Sequence, residues 1–167
     1  MANYHIDGPS GSGKTTVSEE LRKRGYNAID ADEVVAYFGD PKTGEPQEVT
    51  PRERFKDNWI WNKKETNELL ANSNGTYFVC GGASNYEEFS LHFKKTFILL
   101  IDDETLKYRL LNRTNNDFGK HPDELAMQLE WNQKVAKHAK EKGYIIIDAT
   151  KPVEQVVDEI LQYVSEK

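Results

Sequence analysis

The sequence predicts a three-layer α/β fold, in which helices cover both faces of a parallel sheet of about five strands. Three observations predict it. Short apolar runs alternate with longer segments of helical periodicity. The apolar runs, such as Phe97-Ile98-Leu99-Leu100-Ile101, do not alternate with polar residues, as expected of strands buried on both faces. A glycine-rich turn joins the first apolar run to the first helical pattern.

The elements follow in chain order. Tyr4-His5-Ile6 predicts a short strand leading into the glycine turn. A helix begins near Thr15, with Val17 and Leu21 on one face and Gly25 as its stop. Tyr26-Asn27-Ala28-Ile29 predicts the second strand, ending in Asp30-Ala31-Asp32, and Glu33 to Tyr37 a short helix. Residues 39–53, with two Gly and three Pro, form an irregular excursion longer than an ordinary connection, and such loops are often functional. Arg54 to Ala71 is expected to be one helix carrying Trp59 and Trp61. Residues two apart do not share a helical face, so one tryptophan is expected in the core.

Thr76 to Cys80 predicts the third strand, followed by Gly81-Gly82, and Glu87 to Phe93 a short helix. Thr96 to Ile101 is the fourth strand and Glu104 to Thr114 a helix, with Leu106 and Leu110 on one face. Asn115 to His121 breaks the pattern, and Pro122 fits the first turn of a long helix ending at Gly143. Tyr144 to Ile147 is the last strand. The final helix sets Val153, Val156, Val157, Ile160, Leu161 and Val164 in one apolar stripe.

The chain has 167 residues, which suits a single domain spanning 1–167. A formal net charge of −6 argues against a general nucleic-acid partner, which needs a basic face. The longest apolar run is too short to cross a bilayer, so no membrane partner is expected. Cys80 is the one cysteine, so no internal disulfide forms, and a reducing cytoplasm is the expected setting. MANYHIDG lacks a basic stretch followed by an apolar run, so no secretory leader is expected. Cys80 itself is read as an inert core thiol. Composition leaves the oligomeric state open.

Gly8-Pro9-Ser10-Gly11-Ser12-Gly13-Lys14-Thr15 fits the phosphate-loop pattern G-x-x-x-x-G-K-[ST]. Glycines let such a chain curl so that backbone N–H groups point inward, and the following helix adds its positive N-terminal end. Gly8, Ser10, Gly11, Ser12, Gly13, Lys14, Thr15 and Thr16 are therefore the candidate nucleotide-binding residues. Lys14 is expected to reach the β and γ phosphates, and the Thr15 hydroxyl to bind Mg²⁺.

Two places offer a second metal ligand. Asp102 follows an apolar strand, yet Asp102 and Asp103 also stand where they would cap the next helix. Asp30 and Asp32 follow the second strand, in the crevice where open α/β sheets bind ligands. One of them can hold Mg²⁺ while the other takes a proton from an acceptor hydroxyl. Asn62-Lys63-Lys64-Glu65 is only superficially like a guanine-reading motif, since it is expected inside a polar helical pattern rather than after a strand and lacks the final Asp.

Together these residues resemble the small P-loop kinases of the adenylate kinase, shikimate kinase and gluconate kinase group. The resemblance rests on GPSGSGKTT, on "DAD" after the second strand, on "CGGASN" after the third, on the arginine spacing of LKYRLLNRTNNDFGKHP and on IIIDATKPVEQVVDEI. It implies a P-loop NTPase fold whose five-stranded parallel sheet has the order 2-3-1-4-5. It also implies ATP and Mg²⁺ as cofactors, with Asp30 positioning the metal and Asp32 binding or deprotonating the acceptor. Arg109 and Arg113 would contact the nucleotide and the transferred phosphoryl group, whose spread negative charge suits forked guanidiniums. Thr150 and Pro152 fall where such enzymes touch the base, although a plain strand-to-helix turn fits equally.

Lys14, Asp32, Arg109 and Arg113 are thus the candidate catalytic residues. Asp32, Arg54, Trp59, Gly81 and Gly82 are the candidate acceptor-binding residues, with Arg52 a further candidate beside the 39–53 loop. The acceptor side is expected in an insertion at about 39–71 and a closing lid at about 113–123. The expected activity is ATP-dependent phosphorylation of a small metabolite, nucleosides and nucleotides included. The alternative is a nucleotide-binding ATPase or switch module that acts through a protein partner.

Overall fold

The computed structural model describes residues 2–50, 57–71, 75–114 and 117–166. In chain order these form β1 (Asn3–Asp7), α1 (Lys14–Lys23), β2 (Asn27–Asp30), α2 (Ala31–Val34), β3 (Ala36–Phe38), β4 (Trp59–Trp61), α3 (Lys63–Ala71) and β5 (Tyr77–Cys80). Two 3-10 turns, Tyr86–Glu88 and Ser90–His92, lead into β6 (Phe93–Leu100), α4 (Asp103–Asn112), α5 (Pro122–Lys142), β7 (Ile145–Asp148) and α6 (Val153–Ser165).

One sheet runs β2-β5-β1-β6-β7, with every neighbour parallel. Numbered among themselves, these strands have the order 2-3-1-4-5. The labels shift because β3 and β4 form a separate antiparallel ribbon between the second and third parallel strands. Among the described residues, no helix is long and apolar enough to cross a membrane.

Strand alternation assigns the two faces. Tyr4 and Ile6 of β1 join Phe78, Cys80, Phe97, Leu99 and Ile147 on one side, against Val17 and Leu21 of α1, Leu106 and Leu110 of α4, and Val156, Val157 and Ile160 of α6. Full burial of such a side chain stabilises by about 1.5–3 kcal/mol relative to exposure, so the α6 stripe holds that helix to the sheet. On the other side, Ile98 packs with Val135 and Ala139 of α5. Val79 packs there with Trp61, Leu70 and Phe89.

Three expected elements are corrected. The helix expected over 54–71 is the strand β4 followed by α3; its first residues, through Lys56, lie outside the described ones. The helix expected at 33–37 is a single turn, α2, running into β3. The helix expected at 87–93 is the pair of 3-10 turns.

The tryptophan pair does divide as expected, but for a different reason. In a strand, residues i and i+2 point to the same side. Trp61 lies at the buried end of the ribbon, ringed by His5, Tyr86, Phe89 and Phe93. Trp59 lies at the open end, tilted against Phe38.

Candidate active site

The phosphate loop leaves β1 at Asp7 and enters α1 at Lys14. Gly13 caps α1 with φ 105°, a left-handed conformation that glycine adopts without strain. The Ser12 N–H donates to the Pro9 carbonyl at 3.0 Å, closing the curl. From outside, the Gln128 Oε1 of α5 accepts the Ser10 N–H at 2.8 Å. The Lys14 ammonium folds back over the loop, donating to the Gly8 carbonyl at 2.6 Å and standing 3.7 Å from Asp7 Oδ1. Thr16 is exposed on the first turn of α1.

The carboxylates of "DAD" meet this loop. Thr15 Oγ1 donates to Asp30 Oδ2 at 2.9 Å. The other oxygen of Asp30 accepts the Asp32 N–H at 3.2 Å and caps α2. Asp30 therefore both caps α2 and reaches Thr15. Asp32 Oδ1 accepts the Trp59 indole N–H at 2.9 Å. Asp32 keeps contact with solvent, but the protein crowded around it pushes its carboxyl above the usual aspartate range, against the opposing pull of Lys14 and Trp59. A Cβ on Gly81 would lie 3.3 Å from Asp32 Oδ1, so the glycine turn borders the same carboxylate.

Asp102 has a different task. Its carboxylate accepts both the N–H and the hydroxyl of Thr105, each at 2.7 Å, and caps α4. Asp103 accepts from Asn132 and Gln133 of α5. Of the two candidate metal acids, Asp30 is the one in contact with Thr15.

Two arginines approach from α4. One Arg109 amine lies 3.5 and 3.4 Å from the Gly11 and Ser12 carbonyls, and the other lies 3.4 Å from the Ala149 carbonyl. Arg113 donates to Ser10 Oγ at 2.9 Å and to the Phe118 carbonyl. Thr150 bonds back to Asp148 through its N–H and hydroxyl, and Pro152 is the N-cap of α6. The Ala149 contact thus joins the Thr150 turn to the phosphate loop. Arg52 and Arg54 lie outside the described residues.

A hydroxyl and a carboxylate, both hard oxygen donors, fit Mg²⁺, which is usually held by one or two carboxylates together with substrate phosphates. Among the described residues, no group of three His, Cys, Asp or Glu side chains forms a self-sufficient metal cage.

Sequence reasoning missed Asp7 and Gln128. Asp7 had a signal, since it ends β1 directly before the loop, where ligands gather. Gln128 had none, because its partner Ser10 is distant in sequence.

The fold and site define a P-loop nucleotide-binding protein with the architecture of the small P-loop kinases. The family model AAA_18, described as an AAA domain, matches residues 5–130, and the chain belongs to that family. No curated protein sequence matches significantly. Several solved structures share the fold. Shikimate kinase from Acinetobacter baumannii in complex with shikimate has a TM-score of 0.63 at 20% identity, over 100% of this chain and 96% of that one. A sugar kinase from Janibacter sp. HTCC2649 has a TM-score of 0.60 at 20% identity, over 98% and 94%. Deoxyadenosine kinase from M. mycoides, with products bound, has a TM-score of 0.57 at 14% identity, over 99% and 100%.

Proposed function

We propose that the protein is an ATP-dependent kinase that transfers the γ-phosphoryl group to a hydroxyl or phosphate of a small metabolite, nucleosides and nucleotides included. One observation carries this reading. The loop lysine, the Thr15–Asp30 pair and the Asp32–Trp59 pair converge beside the Gly81-Gly82 turn. A nucleotide switch needs the first two; a proton-accepting carboxylate facing an open crevice is what a transferase adds. The neighbours of the fold, a shikimate kinase, a sugar kinase and a deoxyadenosine kinase, support it.

The loop N–H groups and Lys14 bind the β and γ phosphates. Arg109 and Arg113 face the oxygens over which charge spreads during transfer. With a hydroxyl acceptor, Asp32 takes its proton, the acceptor oxygen bonds to the γ-phosphorus, and the bond to the β-phosphate oxygen breaks to leave ADP. Thr15 and Asp30 would hold Mg²⁺, which neutralises phosphate charge when bound. On this reading Trp59 serves the acceptor side expected at 39–71, Thr150 and Pro152 serve the base side, and the segment expected as a lid at 113–123 excludes water; Arg54 and residues 115–116 lie outside the described residues. Such an enzyme belongs in a reducing cytoplasm.

The test is ADP release from MgATP across a panel of hydroxyl- and phosphate-bearing metabolites. The expected outcome is slow hydrolysis alone and a much faster rate with one class of acceptor. Asp32→Asn should lose that stimulated rate while ATP binding stays within about twofold. Stimulation by a protein partner, with none by any small molecule, would overturn the kinase reading in favour of a switch.

A further inference from the structure

The carboxylate of Asp7 belongs to none of the roles above, yet it lies between the two halves of the site. Its Oδ1 accepts the Gly8 N–H at 2.7 Å, fixing the first bend of the phosphate loop. The same oxygen is 3.7 Å from the Lys14 ammonium. Both side chains are largely covered, with 18% of Lys14 and 25% of Asp7 exposed, so solvent and salt screen the pair less than a surface ion pair.

On its far side Asp7 meets Gly82. A Cβ on Gly82 would stand 2.5 Å from Asp7 Oδ2 and 2.8 Å from Oδ1, inside any real contact distance. Gly82 is not among the glycines of positive φ, so the backbone does not demand glycine there. The space does.

Resting on the nucleotide-binding reading of the loop, we propose that Asp7 is a positioning residue that acts through Lys14. It is the counter-charge that holds the ammonium over the loop and must yield it to bound phosphates, and Gly82 is glycine to make room for it. A triphosphate competes with Asp7 for the ammonium and meets the repulsion of the carboxylate. Asp7 thereby moderates the grip of the loop, which helps product nucleotide to leave.

The discriminating variant is Asp7→Asn, which keeps an oxygen acceptor for the Gly8 N–H and removes the charge. ATP and ADP affinities are measured by calorimetry with Mg²⁺, alongside thermal melts. Asp7→Asn should bind ATP at least about two- to fivefold more tightly than the parent, the range of an exposed ion pair, which this covered pair should reach or exceed. A merely structural contact would weaken binding when removed. Unchanged or weaker ATP binding in a folded Asp7→Asn variant overturns the counter-charge role. A parent protein that binds no ATP overturns the nucleotide reading itself, so the two failures are distinct.

The steric part has its own cycle. Gly82→Ala should lower the melting temperature in the parent and much less in an Asp7→Ala background, because neighbours that collide are not additive. Equal losses in both backgrounds overturn it.

Discussion

At the scale of single residues, carboxylates at the ends of strands reach the loop, as Asp7 does, cap a helix, as Asp102 does, or do both, as Asp30 does. The sequence offered Asp102 with two readings, metal acid or helix cap. Its two oxygens are taken by the Thr105 N–H and hydroxyl. Those hydrogen bonds hold its carboxyl below the usual aspartate range. The linkage has a definite sign. A depressed folded pKa contributes stability that is fully present above the unfolded value of about 3.9. That stability is lost as pH falls through the lower folded value. Asp102→Ala should therefore melt below the parent at pH 7, and the gap should close under acid conditions that protonate the cap. A gap that stays constant from pH 7 to the acid end would mean that the charge of Asp102 contributes nothing to α4.

At the scale of elements, what the sequence concealed was short and paired at a distance. Trp59-Ile60-Trp61 has high β propensity but is only three residues long, too few to stand out from the polar helical pattern that follows. Its partner is Ala36 to Phe38, more than twenty positions earlier, and no local periodicity reports such a pairing. The α4 segment was more legible, because Leu106 and Leu110 announce their shared face. Its contacts carry a further consequence. Leu110 is fully buried, and it lies 3.1 Å from where a Cβ on Gly11 would stand and 2.8 Å from a Cβ on Gly119. One leucine thus supports the phosphate loop and the turn before α5. Gly119 also has φ 90°, a conformation strained for any residue with a Cβ. Gly119→Ala combines that strain with overpacking, and it should cost about 1–3 kcal/mol in urea unfolding. A loss below about 0.5 kcal/mol, the ordinary range of a surface substitution, would show that this turn shifts freely away from Leu110.

At the scale of the whole molecule, the parallel strands place several candidate carboxylates and the glycine turn on one edge. Asp7, Asp30, the turn after Cys80, Asp102 and Asp148 all stand at or just past the C-terminal ends of strands. Apolar runs and the loop pattern made that order legible. The expected acceptor side was far less so, because the β3–β4 ribbon pairs at a distance and Arg52 and Arg54 lie outside the described residues. The charge distribution follows the same edge. The chain carries a net −6, yet Lys14, Arg109 and Arg113 all reach the phosphate loop. A phosphate-bearing ligand there binds the folded state alone and must raise its stability. At one hundred times its dissociation constant the gain is about 2.7 kcal/mol. For a chain of this size that corresponds to a melting-temperature rise of about 5–10 °C. An unreactive ATP analogue with Mg²⁺ should produce that rise in the parent. Lys14→Ala should lose most of that rise at the same ligand concentration, each rise being measured from the variant's own ligand-free melt. An equal rise in both proteins would place the nucleotide somewhere other than this loop, and the kinase reading would fall with it.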